Sequence, residues 1–138
     1  MTDIKQIAEL FSCVGRVVST RPFGNGHING TWLVETDAPH RYVLQRINTG
    51  IFKDPDGLMK NMLAVIDWLK KKDDDPRHVL TPIPLQSGAM WLTTDDGECW
   101  RMVEYIENSI CLEMPESEQD LTLIGEAFGH FQCMLADF

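Results

Sequence analysis

The spacing of hydrophobic positions switches between helical and strand-like along the chain. Apolar residues recur every three to four positions over 3–11, which predicts a short amphipathic helix capped by Thr2 or Asp3. Three runs rich in β-branched and aromatic residues then predict three strands, at 17–20, 31–34 and 42–44. Between the first two strands, residues 22–30 include three glycines and two asparagines, a composition typical of a tight turn with an exposed backbone.

A long helix is predicted in the middle of the chain. Its apolar stripe runs over 58–69, and its length of about 15 residues is bounded by Pro55 and by the charged run 70–75. Short apolar pieces separated by turn residues follow it, at 79–80, 82–85, 90–93 and 99–103. The last two pieces predict a β-hairpin that turns at Asp96 and Gly97.

A second long helix is predicted near the end of the chain. Ser117 and Asp120 resemble a capping box, and an apolar stripe follows over 121–135. The stripe still runs close to Phe138, which predicts that the chain is a fragment of a longer protein; a terminal helix packed on the sheet is the alternative. Together, the strands and helices predict an α+β fold.

Composition and charge narrow the function classes. Twelve basic against twenty-one acidic residues give a net charge of −9. Nucleic acid and anionic membranes both demand a basic patch, so neither is expected as a partner. No apolar run approaches the ~20 residues that span a bilayer, and the first residues lack a secretory signal pattern, so a cytoplasmic location is expected.

Neither the cysteines nor the acidic run 73–75 has the spacing typical of metal ligands. Cys13, Cys99, Cys111 and Cys133 form no CxxC pair and have no histidine at zinc-site spacing, so free, partly buried thiols are predicted. The run 73–75 lacks the spaced glycine and distal glutamate of a calcium loop and is interpreted as a solvated helix exit. No metal site is predicted in this chain.

The glycine-rich turn joins two strands, whereas a P-loop or a dinucleotide fingerprint precedes a helix. Neither the GxxxxGK[ST] string nor the GxGxxG string occurs in this sequence. Two interpretations remain: the backbone amides of the turn close over phosphates, as in protein-kinase-like folds, or the turn is a plain hairpin connection.

Three ordered strings carry a family resemblance, at 23–32, 42–49 and 52–55. Together they resemble the N-terminal lobe of aminoglycoside-phosphotransferase-like kinases, and within that superfamily they are most similar to the N-acetylhexosamine 1-kinases. The Gly-x-Gly-His-Ile-Asn and Leu-Gln-Arg-Ile-Asn strings are the specific parts, and the resemblance runs from about Phe11 to the end of the chain.

The resemblance implies a fold and an activity. The fold is a protein-kinase-like N-lobe at 1–107, with an antiparallel sheet of about five strands, one long helix and an extra N-terminal helix. Residues 108–138 would form the hinge exit and the first helix of a missing helical C-lobe. The activity is transfer of the ATP γ-phosphoryl group to a small-molecule hydroxyl, with the anomeric hydroxyl of an N-acetylhexosamine favoured. Choline, homoserine and aminoglycoside kinases are the rival members, and a catalytically inactive binding or regulatory domain is the rival class.

The turn carries the first site residues that the resemblance implies. Gly24, Asn25 and Gly26 match the loop over the ATP phosphates, where missing side chains let backbone N–H groups approach a polyanion. His27 and Asn29 match positions that orient the transferred phosphate or reach the sugar, with local turn contacts as the alternative for His27.

The third predicted strand departs from the kinase pattern. Alternation puts Val43 and Gln45 on one face and Arg46 on the other, and the resemblance places the phosphate-pairing lysine of the family at Gln45. Gln45 can donate hydrogen bonds but supplies no charge. The cation would then come from Arg46, brought across by a bulge, or from Lys60 on the helix, for which a plain exposed position is the alternative.

The last site residues that the resemblance implies form the strand-to-hinge segment, which binds adenine through backbone groups in the family: Val103, Glu104, Tyr105 and Ile106.

The family's HxD…N segment and its following aspartate belong to the helical lobe, and none of the four histidines opens such a segment here. No catalytic residue is therefore predicted in this chain, which alone is expected to be inactive. The implied partners are ATP, Mg²⁺ held by the missing lobe, a small-molecule sugar, and that lobe itself.

Overall fold

The computed structural model describes residues 2–138, which form two compact units. The first unit contains the residues up to Asn61 together with Leu80–Tyr105. The second unit contains Met62–Val79 and Ile106–Phe138.

Three helices and five strands make up the described part of the chain. The helices are α1 (Ile4–Glu9), α2 (Pro55–Lys70) and α3 (Glu118–Leu135). The strands are β1 (Val17–Pro22), β2 (Gly30–Thr36), β3 (Arg41–Ile47), β4 (Leu92–Thr93) and β5 (Cys99–Glu104). Each element lies where the hydrophobic pattern predicts one, and β4 with β5 forms the predicted hairpin.

Two segments differ from the predicted pattern. Phe11 does not continue α1 but leaves the helix, and it is buried where it bridges Leu85. The apolar pieces before β4 form no strand, because their two prolines lack the N–H group that a sheet ladder needs. These pieces contribute only isolated bridges, among them Pro82 with Val103.

All five strands form one antiparallel sheet in the order β1-β2-β3-β5-β4. Along β3 the register is continuous, and Gln45 lies opposite Thr31 on β2 and Arg101 on β5. The register of β1 shifts once, between Val17 and Ser19. The predicted α+β class with a five-stranded antiparallel sheet, consistent with a kinase-like N-lobe, is confirmed.

One face of the sheet forms the core of the first unit under α1. Asp3 caps the helix, since its carboxylate accepts hydrogen bonds from the backbone N–H groups of Lys5 and Gln6. It buries Ile7 and Ala8 against the sheet. Their partners on the strands include Val34, Tyr42, Leu44, Trp100 and Met102. Because strand residues alternate between faces, the intervening positions of β2, β3 and β5 point to the opposite face.

In the second unit, the C-terminal half of α2 packs against the end of α3. The shared apolar cluster consists of Ile66, Leu69 and Val79, with Met134 and Leu135 packed against it. The indole N–H of Trp68 donates to the backbone carbonyl of Met134 at 3.0 Å. This contact closes the cluster at the last turn of α3.

The rest of α3 exposes its apolar stripe. Ser117 caps the helix as predicted, since its hydroxyl accepts a hydrogen bond from the Asp120 N–H at 3.1 Å. No residue of the helix is buried, and before its last turn five large apolar side chains are between 41% and 66% exposed: Leu121, Leu123, Ile124, Phe128 and Phe131. The predicted stripe is therefore present, and the described part of the chain covers it only at the last turn of the helix.

The four cysteines are free and differ in burial. Cys99 is buried and Cys13 half-buried, but Cys111 and Cys133 are exposed, so the prediction of partial burial is wrong for these two. Within residues 2–138, no group of three or more His, Cys, Asp or Glu side chains converges on a point where a metal ion could bind. No helix in the same range combines the length and apolarity needed to cross a bilayer.

Candidate functional site

The turn between β1 and β2, residues 23–29, exposes its backbone. Gly24 has φ +77°, a left-handed conformation that favours glycine. A Cβ atom placed on Gly24 or on Gly26 would have open space around it. The tip of the turn is exposed, including Asn25 and His27. N–H groups in such a turn can approach an anion without obstruction.

Two asparagines fasten this turn to the end of β3. The amide oxygen of Asn29 accepts from the backbone N–H of Asn48 at 2.9 Å, and the Asn48 amide N–H donates to the Ile28 carbonyl at 3.1 Å. The Asn48 amide oxygen also accepts from the Gly50 N–H at 3.0 Å. Asn29 ends the first specific string of the sequence and Asn48 ends the second, so the two strings meet in one structural clamp.

The sheet face opposite α1 continues from the turn in three cross-strand rows. The registers give a polar row of Thr31, Gln45 and Arg101 nearest the turn, an apolar row of Leu33, Val43 and Val103, and then Glu35 with Arg41. Consecutive rows are two residues apart along each strand, which corresponds to about 7 Å. The face therefore passes from a positively charged polar row to an apolar row.

Hydrogen bonds join the members of the polar row. The Nε–H of Arg101 donates to the amide oxygen of Gln45 at 3.0 Å, and the Gln45 amide N–H donates to the Thr31 hydroxyl at 3.2 Å. Arg101 is half-buried, and desolvation lowers the pKa of its guanidinium while the nearby Cys99 opposes that shift. The fold thus brings the predicted site residue Gln45 together with a cation on the neighbouring strand.

The two cations that the sequence suggests for this site lie elsewhere. β3 contains no bulge, so Arg46 lies on the α1 side of the sheet. There it forms an ion pair with Glu98 at 2.9 Å, and its guanidinium lies 5.9 and 5.7 Å from the ring centres of Trp32 and Trp100. Lys60 is exposed on α2. Neither side chain shares a row with Gln45.

A cavity of about 330 Å³ opens between the base of the turn and the β4–β5 hairpin, on the side of Arg46. Its charged lining residues are Arg46, Asp96 and Glu98. With two carboxylates and one guanidinium, the cavity lining has a net negative charge, which repels a polyphosphate. The charge of this cavity therefore favours the opposite face of the sheet for an anionic ligand.

An aromatic pair joins the start of the turn to the residue that follows β5. Val43 and Val103 lie directly opposite one another, and both are half-buried. Phe23, at the start of the turn, packs its ring edge-on against Tyr105 with the ring centres 5.8 Å apart. The Arg41 guanidinium lies 4.4 Å from the centre of the Tyr105 ring.

The backbone of the predicted hinge is partly used within the fold. The N–H groups of Glu104 and Tyr105 donate to the carbonyls of Thr81 and Arg41, at 2.9 and 3.0 Å. Ile106 belongs to the second unit. A base that took hydrogen bonds from the N–H groups of Glu104 and Tyr105 would compete with these internal partners, so recognition through them stays a prediction.

Sequence reasoning did not find Arg101 or Asn48. The signal for Arg101 is alternation in β5, because Arg101 lies two residues before Val103 and therefore shares its face. The signal for Asn48 is its position at the end of the second specific string, which does not reveal its contact with Asn29. Both residues act through pairings that are distant in the sequence.

The comparison with known protein families bears on the same elements. Residues 19–138 match the family model described as the phosphotransferase enzyme family, APH. The match includes the turn, the polar and apolar rows and α3, and so covers most of the chain.

Proposed function

Because the chain belongs to the phosphotransferase enzyme family, we propose that its first unit is the nucleotide-binding part of an ATP-dependent small-molecule kinase. One observation carries the proposal: the glycine turn, the polar row with Arg101, and the apolar row of Val43 and Val103 follow one another on a single face. A nucleotide presents matching chemistry in the same order, from anionic phosphates to a base whose flat faces pack against apolar side chains.

In this proposal the phosphates lie under the turn. The backbone N–H groups of Gly24, Asn25 and Gly26 bind phosphate oxygens, and the two glycines leave the approach open. The base lies against Val43 and Val103, one row further along the face. ATP supplies the γ-phosphoryl group, and the part of this chain is to bind and orient it.

The proposed acceptor is a sugar, with the anomeric hydroxyl of an N-acetylhexosamine favoured. The support is the resemblance of the two specific strings, whose terminal residues Asn29 and Asn48 form the clamp under the turn. His27 is exposed in the turn, where its imidazole can contact the acceptor or the transferred phosphate. Choline, homoserine and aminoglycosides are the rival acceptors.

The catalytic carboxylate and the Mg²⁺ ligands are proposed to belong to a helical lobe that α3 begins. Phosphoryl transfer needs a carboxylate to position the hydroxyl and oxygen ligands to hold Mg²⁺. Residues 2–138 bring together no group of three such ligands. The apolar stripe of α3, with Leu121, Phe128 and Phe131 exposed, supports the proposal because further helices could pack on it.

The direct test is ATP-dependent phosphorylation of an N-acetylhexosamine, with choline, homoserine and an aminoglycoside as rival acceptors. A protein that carries this chain joined to its helical lobe is compared with the 138-residue chain alone. We expect transfer by the longer protein only, with the hexosamine preferred. Transfer to a rival acceptor instead would contradict the N-acetylhexosamine assignment but would still support a small-molecule kinase.

A binding or regulatory domain without catalysis is the second candidate function. The observation that favours it is the neutral Gln45, which stands where the resemblance places the phosphate-pairing lysine. Nucleotide binding by the longer protein without transfer to any of the four acceptors would support this candidate over the kinase.

A further inference from the structure

We infer that Arg101 supplies the positive charge of the nucleotide face and that Gln45 is the residue that positions it. The inference rests on the proposed function, since it concerns how the same face recognises phosphates. It gives Arg101 the role of distinguishing a nucleotide from the corresponding nucleoside. Gln45 then holds the guanidinium in the polar row, through the hydrogen bond from Nε at 3.0 Å.

The geometry orients the guanidinium through Gln45, which is itself held by Thr31. Arg101 on β5 and Gln45 on β3 are paired in register, so their side chains leave the sheet at the same level. The amide of Gln45 accepts from Arg101 at one end and donates to the Thr31 hydroxyl at the other, which selects a single amide orientation. Thr31 is the second residue of β2, directly after the turn, so this row is the one nearest the turn.

The surroundings of Arg101 strengthen its attraction for an anion. The side chain is half-buried, and desolvation lowers the pKa of its guanidinium. Charges interact more strongly in such partly dehydrated surroundings than in open water. A guanidinium also presents its N–H donors in a rigid planar fork that matches phosphate oxygens. The position thus combines a fixed orientation with weak screening.

The other arginines near this face are less well placed. Arg46 lies on the α1 side of the sheet and is paired with Glu98 at 2.9 Å. Arg41 lies beyond the apolar row, with its guanidinium 4.4 Å from the centre of the Tyr105 ring. Arg21 is exposed on the edge strand β1. Only Arg101 among these four shares the row of Gln45.

The test compares ATP and adenosine binding by calorimetry, using the full chain and its variants. We expect Arg101→Met to weaken ATP binding at least ~10-fold while adenosine binding changes less than ~3-fold, because adenosine carries no phosphate for the guanidinium to bind. Arg16→Met is the matched control, since Arg16 is exposed, pairs with Asp37 at 3.7 Å, and precedes β1 at the end remote from the turn. That control should bind both ligands like the unmodified chain.

Two variants at Gln45 separate a charge role from a structural one. Gln45→Lys combined with Arg101→Met returns a cation to the same row, and we expect it to recover most of the lost ATP affinity. Gln45→Leu keeps the arginine but removes its hydrogen-bond partner, so a smaller loss of ATP affinity is expected. If Arg101 were merely structural, ATP and adenosine affinity would fall together and the lysine would restore neither.

Three results would overturn the inference. Equal ATP affinity for Arg101→Met and the unmodified chain would show that Arg101 does not bind the phosphates. The proposed function would not be contradicted by that result. A selective loss of ATP affinity in Arg46→Met or Arg21→Met, with none in Arg101→Met, would transfer the role to that cation. Failure of the unmodified chain to bind ATP would overturn the proposed function, and this inference with it.

Discussion

Among single residues, two asparagines determine how the turn is held. The resemblance assigns Asn29 to the phosphate or the sugar, yet its amide oxygen already accepts the Asn48 N–H at 2.9 Å. Asn48 in turn holds the carbonyl of Ile28. Short polar side chains commonly stabilise loops in this way. The hydrogen bond to Asn48 gives Asn29 a positioning role. A direct interaction of Asn29 with the substrate stays a prediction.

Removal of the Asn29 amide tests this positioning role. Asn29→Ala is expected to lower the free energy of unfolding by about 1 kcal/mol, because the Asn48 N–H loses its acceptor. Asn29→Asp is the matched control, since a carboxylate keeps an acceptor at the same place and should retain most of the stability. Urea denaturation of the three proteins measures the difference. Equal losses for the alanine and aspartate variants would contradict the clamp.

The four thiols should differ in reactivity. Burial raises the pKa of Cys13 to about 11 and also raises the pKa of Cys99. The thiolate is the reactive form, so at mildly alkaline pH both react slowly in the folded chain. Cys111 and Cys133 are exposed, and an aromatic disulfide reagent should label these two first, as peptide mapping would show. All four should react once the chain is denatured. Labelling of Cys13 as fast as Cys111 in the folded chain would show that the burial is wrong.

Among the elements, the turn offers a matched pair of glycines. Gly24 has φ +77°, whereas Gly26 lies outside the left-handed region, and a Cβ atom has open space at both. Gly24→Ala should cost about 1 kcal/mol of stability through backbone strain, and Gly26→Ala should cost little. In the proposed nucleotide complex, either methyl group would hinder the approach of the phosphates to the turn.

ATP titration and thermal unfolding of the two variants measure these effects separately. We expect both variants to bind ATP more weakly than the unmodified chain, although only Gly24→Ala is less stable. Full ATP affinity in Gly26→Ala would mean that the turn does not approach the phosphates.

Local patterns predict the elements better than their pairings. The alternation of β3 predicts that Val43 and Gln45 share a face, and the registers confirm it. The absence of a bulge at Arg46 depends on the strands beside β3, which the residues of β3 do not specify. Arg101 contacts Gln45 only because β5 pairs with β3, although the two residues are 56 positions apart in the sequence. Hydrophobic periodicity does not indicate contacts between residues so far apart. Arg101 therefore could not be predicted as the cation of the polar row.

For the molecule as a whole, local sequence patterns likewise do not reveal which apolar surfaces are buried. The capping pair and the stripe predict α3 correctly, but periodicity does not show what covers an apolar face. Leu121, Ile124, Phe128 and Phe131 are between 41% and 66% exposed. An apolar stripe of this kind favours association with another surface.

The chain is therefore expected to self-associate through α3 at high concentration. Phe128→Lys should shift it toward the monomer in sedimentation velocity, because a charge then lies within the stripe. Thr122→Lys adds the same charge to an exposed position about 120° around the helix and should leave association unchanged. A chain that stays monomeric at every concentration would contradict this expectation, as would equal dissociation by the two variants.

The central claim is that one sheet face of the first unit binds a nucleotide by its phosphates and its base. Calorimetric titration of the unmodified chain with ATP and with adenosine tests it most directly. The glycine turn and Arg101 predict saturable binding of ATP that is at least ~10-fold tighter than binding of adenosine. Equal affinity for the two ligands, or no binding of ATP, would contradict the claim.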